Sequence, residues 1–363
     1  MKREVFINYS SIITGLGNLD QTWDALLKKS SAIIKKNHFD NFLLPQTGLS
    51  LYKRETSSSL KNVALFLIKE CFFSIPEIPE DSFVIWTGIK NTAEYIESLC
   101  SGQEPPLYSS EYDLCKWVIE YLGLKKGGMT VSASCASSTV GTAIASQFIS
   151  EGRYNNVLVV GCDFVTSFVY YGFASLKAMT DEICKPFDRN RKGLTLGDGA
   201  FALLLSSERK SDIRISGWSI TNDANHITGP SRDGEGLANS LKAAIDMASL
   251  KPPNIQAICA HGTGTNYNDA MEIKAFNKIF GENPPLTFGI KGAIGHTLGA
   301  AGGIEIAISK KCLEERVIPP TVGCEEPEAN FISLEKVNFS GSNIISCNSG
   351  FGGVNASIVM EMI

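Results

Sequence analysis

Short apolar runs alternate with amphipathic stretches along most of the chain. Continuous runs rich in valine and isoleucine are typical of strands that helices cover on both faces. The pattern predicts ten such strands in two series. The first series covers residues 5–8, 82–88, 129–134, 156–163 and 199–206, and the second covers residues 213–220, 255–262, 286–290, 343–350 and 357–363. This alternation of strands and helices predicts an α/β fold.

A charged connector, SSERKSD, separates the two series. It predicts two loosely similar halves, residues 1–205 and residues 206–363, although no clean sequence repeat relates them. Residues 100–128 are polar and show no clear period, so we expect them to be irregular.

Composition restricts the class of protein. A chain of 363 residues with 44% hydrophobic and 20% charged residues suits a globular protein with a large core. Its net charge of −5 argues against a general nucleic-acid or membrane binder. The mixed start MKREVFINYS and the short apolar runs predict neither export nor a membrane span. Ten scattered cysteines without a C-x-x-C pair are typical of a reducing compartment, so we expect a cytoplasmic protein.

Cys135, in SASCASS, lies where a predicted strand gives way to a helix. The predicted helix carries Val140, Ile144 and Phe148 at four-residue intervals, and Gly152 ends it. Unpaired N–H groups and the helix dipole favour a thiolate at such an N-terminus, so Cys135 is expected to be an acidic nucleophile. The alternative is a buried structural thiol, which is the common role of a scattered cysteine.

Three further glycine-rich junctions follow predicted strands. His261 lies in AHGTGTNYNDAME, ahead of a helix that carries Asp269 and Glu272. Lys291 and His296 lie in KGAIGHTLGAAGG, ahead of a helix of small residues. The third junction, CNSGFGGVNAS, has glycines that permit tight turns and expose backbone N–H groups. The chain has four histidines, and two of them lie in such junctions. This placement favours a catalytic role for these two over a role in packing or helix capping.

The order of these motifs resembles that of the β-ketoacyl synthases, the condensing enzymes of the thiolase superfamily. SASCASS is similar to their nucleophile motif, PFDRNRKGLTLGDGA to the segment joining their halves, the two histidine junctions to theirs, and GFGGVNAS to their carboxy-terminal gate. The matches span residues 129–357 and most resemble elongating β-ketoacyl-acyl-carrier-protein synthase II and type II polyketide ketosynthases. The resemblance implies the thiolase fold, in which two βαβ-rich halves form a five-layered αβαβα core.

The resemblance also implies an acyltransferase that performs a decarboxylative Claisen condensation. Cys135 would take an acyl group from the phosphopantetheine thioester of an acyl carrier protein. The N–H groups of Cys135 and Phe351 would form the oxyanion hole, and Phe351 would gate the acyl pocket. His261 and His296 would hold the malonyl thioester carbonyl while carbon dioxide leaves. The protein itself would bind no cofactor and no metal.

Further roles come from the same resemblance. Lys291, paired with Glu272, would hold His296 in position, because two buried charges are costly unless they meet. Thr263 and Thr265 would hydrogen-bond the pantetheine arm. The loop at residues 221–230 resembles a second gate.

The expected partners are an acyl carrier protein and a second ketosynthase-like subunit. Arg191 resembles a docking arginine of the family, and Lys53 with Arg54 forms a second candidate patch for the acidic carrier. We expect a dimer, either with itself or with a homologous ketosynthase or chain-length-factor subunit. In the family the strand before the nucleophile often pairs across that interface.

Two departures from the family pattern bear on the pathway, and four alternatives to the proposed chemistry stay open. Ser349 stands where a phenylalanine is usual, and the chain is short before Cys135, which favours a specialised polyketide or polyene pathway over fatty-acid synthesis. The alternatives are a non-catalytic chain-length-factor-like subunit, a thiolase acting on coenzyme A esters with Cys347 as second thiol, a cysteine hydrolase, and a Cys–His–His metal site. The retained nucleophile argues against the first, and the Lys-x₄-His spacing argues against the second.

Overall fold

The computed structural model of the chain describes residues 2–36, 47–53 and 62–363. The strands in this part of the chain are β1 Phe6–Thr14, β2 Gly17–Asn18, β3 Ile34–Lys36, β4 Thr47–Ser50, β5 Phe83–Trp86, β6 Gly128–Thr130, β7 Asn156–Asp163, β8 Leu196–Gly197, β9 Gly199–Ser206, β10 Ile213–Asn222, β11 Ala257–Cys259, β12 Leu286–Phe288, β13 Val317–Ile318, β14 Val337–Asn338, β15 Asn343–Gly350 and β16 Val354–Met362. The α-helices are α1 Leu19–Leu27, α2 Val63–Phe72, α3 Thr92–Cys100, α4 Glu111–Tyr121, α5 Ser137–Ser150, α6 Ser167–Ser175, α7 Glu235–Met247, α8 Asn266–Phe280, α9 Lys291–Ile294 and α10 Ala301–Glu315. None of these helices is long and apolar enough to cross a bilayer. All ten predicted strands are present, and several are shorter than predicted.

The two halves of the chain arrange their strands in the same spatial order, counted outwards from β1 in one half and from β10 in the other. Within the described residues, the main sheet runs β12-β11-β15-β16-β10-β1-β9-β7-β5-β6, with β2 paired beside β1. In the amino-terminal half, β9 is antiparallel to β1 and β7, whereas β7, β5 and β6 are parallel. In the other half, β16 is antiparallel to β10 and β15, whereas β15, β11 and β12 are parallel. The halves meet where β1 and β10 share the pair Phe6 and Arg214. The boundary after residue 205 stays a prediction.

Two helices, α5 and α10, lie between the two half-sheets. Their apolar side chains, such as Val140 and Ile306, pack in one central core with residues of both halves, such as Val159 and Ile344. α2 and α4 cover the outer face of the amino-terminal half, and α7 and α8 cover the outer face of the other half. This is the five-layered αβαβα core that the sequence predicted.

Small residues let α5 and α10 approach closely. A Cβ on Gly302 would lie 1.9 Å from the Thr139 Oγ1, and a Cβ on Gly303 would lie 2.3 Å from the Phe201 ring. The Gly303 N–H donates to the Ser138 Oγ at 2.8 Å, so a hydrogen bond also joins the helices. A side chain at Gly302 would therefore push α10 away from α5, and a side chain at Gly303 would push α10 away from β9.

The polar stretch before β6 contains α4, so the expectation of an irregular segment there is wrong. The helix begins after Ser110, whose Oγ accepts the Asp113 N–H at 3.2 Å. Leu114, Cys115 and Val118 form its buried face, which packs on β5 and β6. The apolar face is only three residues long, and the polar residues around it obscure its period.

Candidate active site

Loops at the carboxyl ends of parallel strands bring the predicted site residues together. Cys135 follows β6, His261 follows β11, and His296 follows β12. All three line one cavity of about 730 Å³, together with Phe351 from the turn between β15 and β16. Both half-sheets therefore contribute to a single site.

Cys135 lies in a tight turn ahead of α5. Ser134 has a φ of +51°, in the left-handed region that residues with side chains rarely adopt. The Ser137 Oγ fixes the turn by accepting the Ala133 N–H at 2.8 Å and donating to the Ser134 carbonyl at 2.6 Å. The Cys135 side chain lines the cavity although the residue is only 5% exposed.

Burial determines the pKa of the Cys135 thiol. Desolvation raises the pKa to about 12, although the Lys291 cation and the backbone N–H groups of Cys135 and Phe351 lower it. The nearby Asp163 carboxyl raises the pKa further. The expectation of an acidic thiol is therefore wrong, because desolvation of the thiolate outweighs the effect of the helix N-terminus. The two N–H groups that act on the thiol are those expected for the oxyanion hole.

We expect alkylation of Cys135 by iodoacetamide to accelerate steadily from about pH 7 to about pH 10, because only the thiolate reacts. A thiol with a pKa of about 12 stays protonated over this range, so its thiolate fraction should rise with every pH unit. Mass-spectrometric peptide mapping measures the rate at Cys135, and the exposed Cys100 reports general access of the reagent. A rate at Cys135 that levels off near neutral pH would contradict this prediction.

Hydrogen bonds assign the same tautomer to both cavity histidines. The His261 Nδ1 faces two donors, the Lys291 Nζ at 3.2 Å and the Asn348 Nδ2 at 2.9 Å. The His296 Nδ1 accepts the Leu298 N–H at 3.2 Å. Each Nδ1 is therefore an acceptor, and each ring carries its proton on Nε2.

The two rings stay neutral and lie side by side. Burial and the Lys291 cation hold the pKa of both His261 and His296 well below the usual range. The ring centroids are 5.2 Å apart and the planes are nearly perpendicular, at 84°. The cavity thus contains two neutral imidazoles that each carry a proton on Nε2.

A buried network holds His261. Lys291 and Glu305, each 1% exposed, form an ion pair, and the Lys291 Nζ also donates to the His261 carbonyl. The Asn348 Nδ2 donates to the Glu305 Oε2 at 2.6 Å, and the Asn348 Oδ1 accepts from the Thr139 hydroxyl. Every charge in this network is thus paired, as burial requires.

The predicted pairing of Lys291 with Glu272 is wrong. The Glu272 carboxylate accepts the N–H groups of His261 at 2.8 Å and Gly262 at 2.7 Å, and the Asn268 side-chain amide at 2.7 Å. Lys291 instead points towards α10, which supplies its partner Glu305. Burial raises the pKa of Glu272 to about 8. The residue holds the backbone of the His261 loop and makes no hydrogen bond to either imidazole.

The expected pantetheine and gate residues surround the same cavity. Thr263 and Thr265 line it, and their hydroxyls lie 2.9 Å apart. The Phe351 ring stacks on Phe173 with centroids 5.8 Å apart. The loop at residues 221–230 is joined to the Phe351 turn, because the Gly352 N–H donates to the Ile227 carbonyl at 2.8 Å and the Asp223 N–H donates to the Gly353 carbonyl at 2.9 Å.

Arg191 is not placed to dock a carrier protein. Its side chain is buried, donates to the carbonyls of Thr265 and Asn266 at 3.2 Å each, and forms an ion pair with Glu328. The guanidinium therefore holds the start of α8, and the expectation of a docking arginine at this position is wrong. The Arg191 Nε also lies 3.9 Å from the fully buried Asp269 carboxylate, so removing the guanidinium would leave that acid without its cation.

Other cations line the rim of the cavity. Lys177, Lys192 and Arg232 are exposed there, and no carboxylate lines the cavity within the described residues. Lys192 pairs with Glu182 at 2.8 Å. The expected patch at Lys53 lies at a different surface cavity, where Lys53 pairs with Glu70, and Arg54 lies outside the described residues.

The remaining thiol and metal alternatives lack support in the geometry. The Cys347 thiol is buried, contacts the Cys259 carbonyl at 3.8 Å and does not line the cavity. Among residues 2–36, 47–53 and 62–363, no three His, Cys, Asp or Glu side chains are grouped as metal ligands.

Both halves of the chain match models of one protein family. Residues 114–211 match the model described as beta-ketoacyl synthase, N-terminal domain, and residues 213–325 match beta-ketoacyl synthase, C-terminal domain. Together the two stretches cover more than half of the chain. The chain belongs to the β-ketoacyl synthase family.

Relatives in the β-ketoacyl synthase family match the whole chain or most of it. The 3-oxoacyl-[acyl-carrier-protein] synthase 2 of Vibrio harveyi is 27% identical over an alignment of 413 residues, which covers 100% of this chain and 99% of that protein. The protein of the same name from Staphylococcus aureus is 32% identical over 260 residues, covering 66% of this chain and 64% of that protein.

Solved β-ketoacyl synthase structures have the same fold. A chain of the complex between the ketosynthase ApeO and its chain length factor ApeC from Xenorhabdus doucetiae gives a TM-score of 0.87 at 24% identity, over 99% of this chain and 98% of that chain. A chain of the AntDE:AntF complex, a type II PKS acyl-carrier protein with its ketosynthase bound to the hexaketide, gives 0.88 at 20% identity, over 100% of both chains. The predicted thiolase fold is confirmed.

Sequence reasoning missed two residues of this β-ketoacyl synthase site. Glu305 and Asn348 complete the hydrogen bonds of Lys291 and His261, and neither was assigned a role. A signal for Glu305 exists, because it is an isolated acid in the apolar run GIEIAIS. A charge inside a buried helix requires a partner, and Lys291 is the nearest lysine or arginine before it in the chain.

Proposed function

We propose that this protein is a β-ketoacyl-acyl-carrier-protein synthase, which joins a malonyl unit to an acyl group held on Cys135. One observation carries the proposal: a buried thiol and two neutral imidazoles with Nε2 protons line a single cavity. The names of the relatives support it, because they are 3-oxoacyl-[acyl-carrier-protein] synthases. The substrates would arrive on the phosphopantetheine arm of an acyl carrier protein.

In the first half-reaction, the Cys135 Sγ attacks the carbonyl carbon of the acyl thioester. The N–H groups of Cys135 and Phe351 stabilise the oxyanion of the tetrahedral intermediate. The intermediate collapses by breaking the carbon–sulfur bond to pantetheine, and the proton of the Cys135 thiol ends on the departing pantetheine sulfur. Burial raises the pKa of Cys135 and so favours loss of this proton as the new bond forms.

In the second half-reaction, the malonyl thioester oxygen accepts hydrogen bonds from the Nε2–H groups of His261 and His296. The carbon–carbon bond to the carboxylate breaks, carbon dioxide leaves, and the electron pair forms an enolate that the two donors stabilise. The enolate carbon attacks the acyl-Cys135 carbonyl, a new carbon–carbon bond forms, and the Cys135 thiolate departs and takes up a proton. Lys291 and Asn348 keep His261 in the required tautomer.

Other residues of the cavity would guide the substrate. Thr263 and Thr265 present hydroxyls to the pantetheine arm, and Phe351 closes the acyl pocket against Phe173. The absence of an acid along the described rim supports an anionic substrate arm, although the whole chain has a net charge of −5.

We propose that the protein works as a dimer, with itself or with a homologous subunit. β6 ends the main sheet and has one neighbour, β5, within the described residues. Exposed apolar side chains on α3 and α6, which contact each other, also support an interface, namely Ile96, Leu99 and Phe168. The solved neighbours include a ketosynthase with its chain length factor.

A two-stage incubation tests the function. Intact mass should detect an acyl adduct when the protein meets a panel of acyl-carrier-protein thioesters, and malonyl carrier protein should then yield a β-ketoacyl product. A parallel set with a homologous partner subunit separates the two assemblies, and Cys135→Ala protein is the control for the adduct. The absence of any adduct in both sets would refute the proposal.

We expect Lys177→Glu and Arg232→Glu each to raise the KM for carrier-bound substrate about tenfold at low salt, because reversed rim charges slow the encounter with an acidic partner. Both side chains line the cavity rim, and neither forms an ion pair with a described residue. The effect should shrink at high salt. Lys126→Glu is the matched control, since Lys126 is also exposed, forms no ion pair with a described residue and does not line the cavity. An equal KM for all three variants would remove the rim from the docking surface.

A further inference from the structure

Asp163, the last residue of β7, is a fully buried carboxyl with no part in the chemistry proposed above. Its Oδ1 accepts the N–H groups of Lys90 at 2.7 Å and Ile89 at 3.1 Å. Its Oδ2 accepts the Gly299 N–H at 2.8 Å. No ion pair of this carboxyl occurs within the described residues. One buried carboxyl therefore joins two loops that are about 200 residues apart in the chain.

The two loops both lie behind residues that line the cavity. Ile89 lies in the turn after β5 and packs in the apolar cluster that contains Phe173 and touches Phe351. Gly299 follows Leu298, whose N–H fixes the His296 tautomer. The turn after β5 and the His296 loop thus share one hydrogen-bonding centre.

The contact leaves no free volume. A Cβ on Gly299 would lie 2.7 Å from the Asp163 Oδ2 and 2.9 Å from the Thr87 carbonyl. The His296 loop can therefore rest on Asp163 only because residue 299 is glycine. A shift of the Asp163 carboxyl would displace the His296 loop, because a closely packed interior has no free volume to absorb the movement.

We propose that Asp163 is a positioning residue, which holds the His296 Nε2–H at the malonyl thioester by fixing the Gly299 end of its loop. This inference rests on the proposed function and assigns Asp163 to one half-reaction. Its loss should impair decarboxylation, which needs a placed His296 donor. It should spare acylation, which uses the N–H groups of Cys135 and Phe351.

Asp163→Asn is the informative variant. The Asp163 Oδ1 accepts the Lys90 N–H at 2.7 Å and shares the Ile89 N–H, which lies 3.1 Å from Oδ1 and 3.3 Å from Oδ2, while Oδ2 also accepts the Gly299 N–H at 2.8 Å. The amide oxygen of asparagine keeps the shorter contacts when it takes the Oδ1 side. The amide NH₂ would then face the Gly299 N–H, and two donors would oppose each other at the His296 loop.

Glu111→Gln is the matched control. Glu111 is the neighbouring buried carboxyl and holds the same β5 turn from its other side, accepting the Asn91 N–H at 2.9 Å and the Trp86 indole N–H at 2.7 Å. It makes no hydrogen bond to the His296 loop. A general loss of structure around the turn would therefore affect both variants, whereas the proposed role affects only one.

The readout is decarboxylation of malonyl carrier protein in a Cys135→Ala background, where acylation plays no part. Asp163→Asn should lower that rate about 10–100-fold, the effect of a donor displaced by about 1 Å, and Glu111→Gln should change it by less than about threefold. With Cys135 present, the Asp163→Asn protein should acylate at least as fast as the parent, because the variant loses a carboxyl that raises the pKa of the Cys135 thiol.

Gly299→Ala attacks the same contact from the loop side and should reproduce the decarboxylation loss; it decides the question if the Asp163 variant does not fold. Decarboxylation at the background rate in either variant would overturn the assignment. An equal loss with Glu111→Gln would also overturn it, because the effect would then be structural. A Cys135→Ala protein that does not decarboxylate at all would contradict the proposed function, and this inference with it.

Discussion

The His296→Ala protein should condense about 10²–10³-fold more slowly than the parent, because each donor aimed at the developing oxyanion is worth roughly 3–4 kcal/mol. It should still accumulate acyl-Cys135, since the N–H groups of Cys135 and Phe351 remain. Product formation with malonyl carrier protein measures the first effect, and intact mass measures the second.

Two controls accompany this variant. The Cys135→Ala protein should behave in the opposite way, losing the adduct while malonyl decarboxylation persists. His226→Ala removes another histidine of the same cavity, whose Nδ1 accepts the N–H groups of Thr228 and Gly229, and should leave condensation within about threefold. Condensation by His296→Ala at the parental rate would contradict the mechanism.

The Lys291→Met protein should lose about 3–5 kcal/mol of unfolding free energy, because removing one partner of a buried ion pair leaves the other charge uncompensated. Glu305 is 1% exposed and would retain only the Asn348 amide as a partner. Urea unfolding measures the loss as a lower midpoint with an unchanged slope.

Adding Glu305→Gln to Lys291→Met should recover part of this stability, because the orphaned carboxylate is removed. Condensation should stay impaired in the double variant, since the His261 Nδ1 has lost its Lys291 donor. Lys125→Met, which breaks an exposed ion pair with Glu80, should change stability by less than about 1 kcal/mol. If the Lys291→Met protein were as stable as the Lys125→Met protein, the prediction would be contradicted. Loss of Lys291 would then leave no costly uncompensated charge on Glu305.

The sequence predicts those site residues whose signal lies in a short, local motif. Glycine-rich junctions after apolar runs identified Cys135, His261 and His296, and the structure brings all three to one cavity. The partner of Lys291 is a different case. Glu272 and Glu305 are both acids on helices that begin near the site, and only the packing of α10 against α5 decides which one the Lys291 ammonium reaches.

The burial of a loop side chain, that of Arg191, could not be predicted from the sequence either. Arg191 lies among Arg189, Asn190 and Lys192, a composition typical of a solvated loop, yet its guanidinium packs beneath α8. The pKa of Cys135 could not be predicted from its position at a helix N-terminus, because burial by distant parts of the chain also determines it. A helix N-terminus is a local feature, whereas desolvation depends on the whole surrounding core.

The crossing of α5 and α10 limits where this enzyme can move. α5 begins two residues after Cys135, and α10 follows the His296 loop, so the contact of Gly302 with Thr139 fixes the distance between nucleophile and second histidine. Neither helix can slide, because the crossing has no spare volume. The Phe351 turn and the loop at residues 221–230 are hydrogen-bonded to each other, so we expect them to open as one unit during substrate entry, around a chamber of constant width.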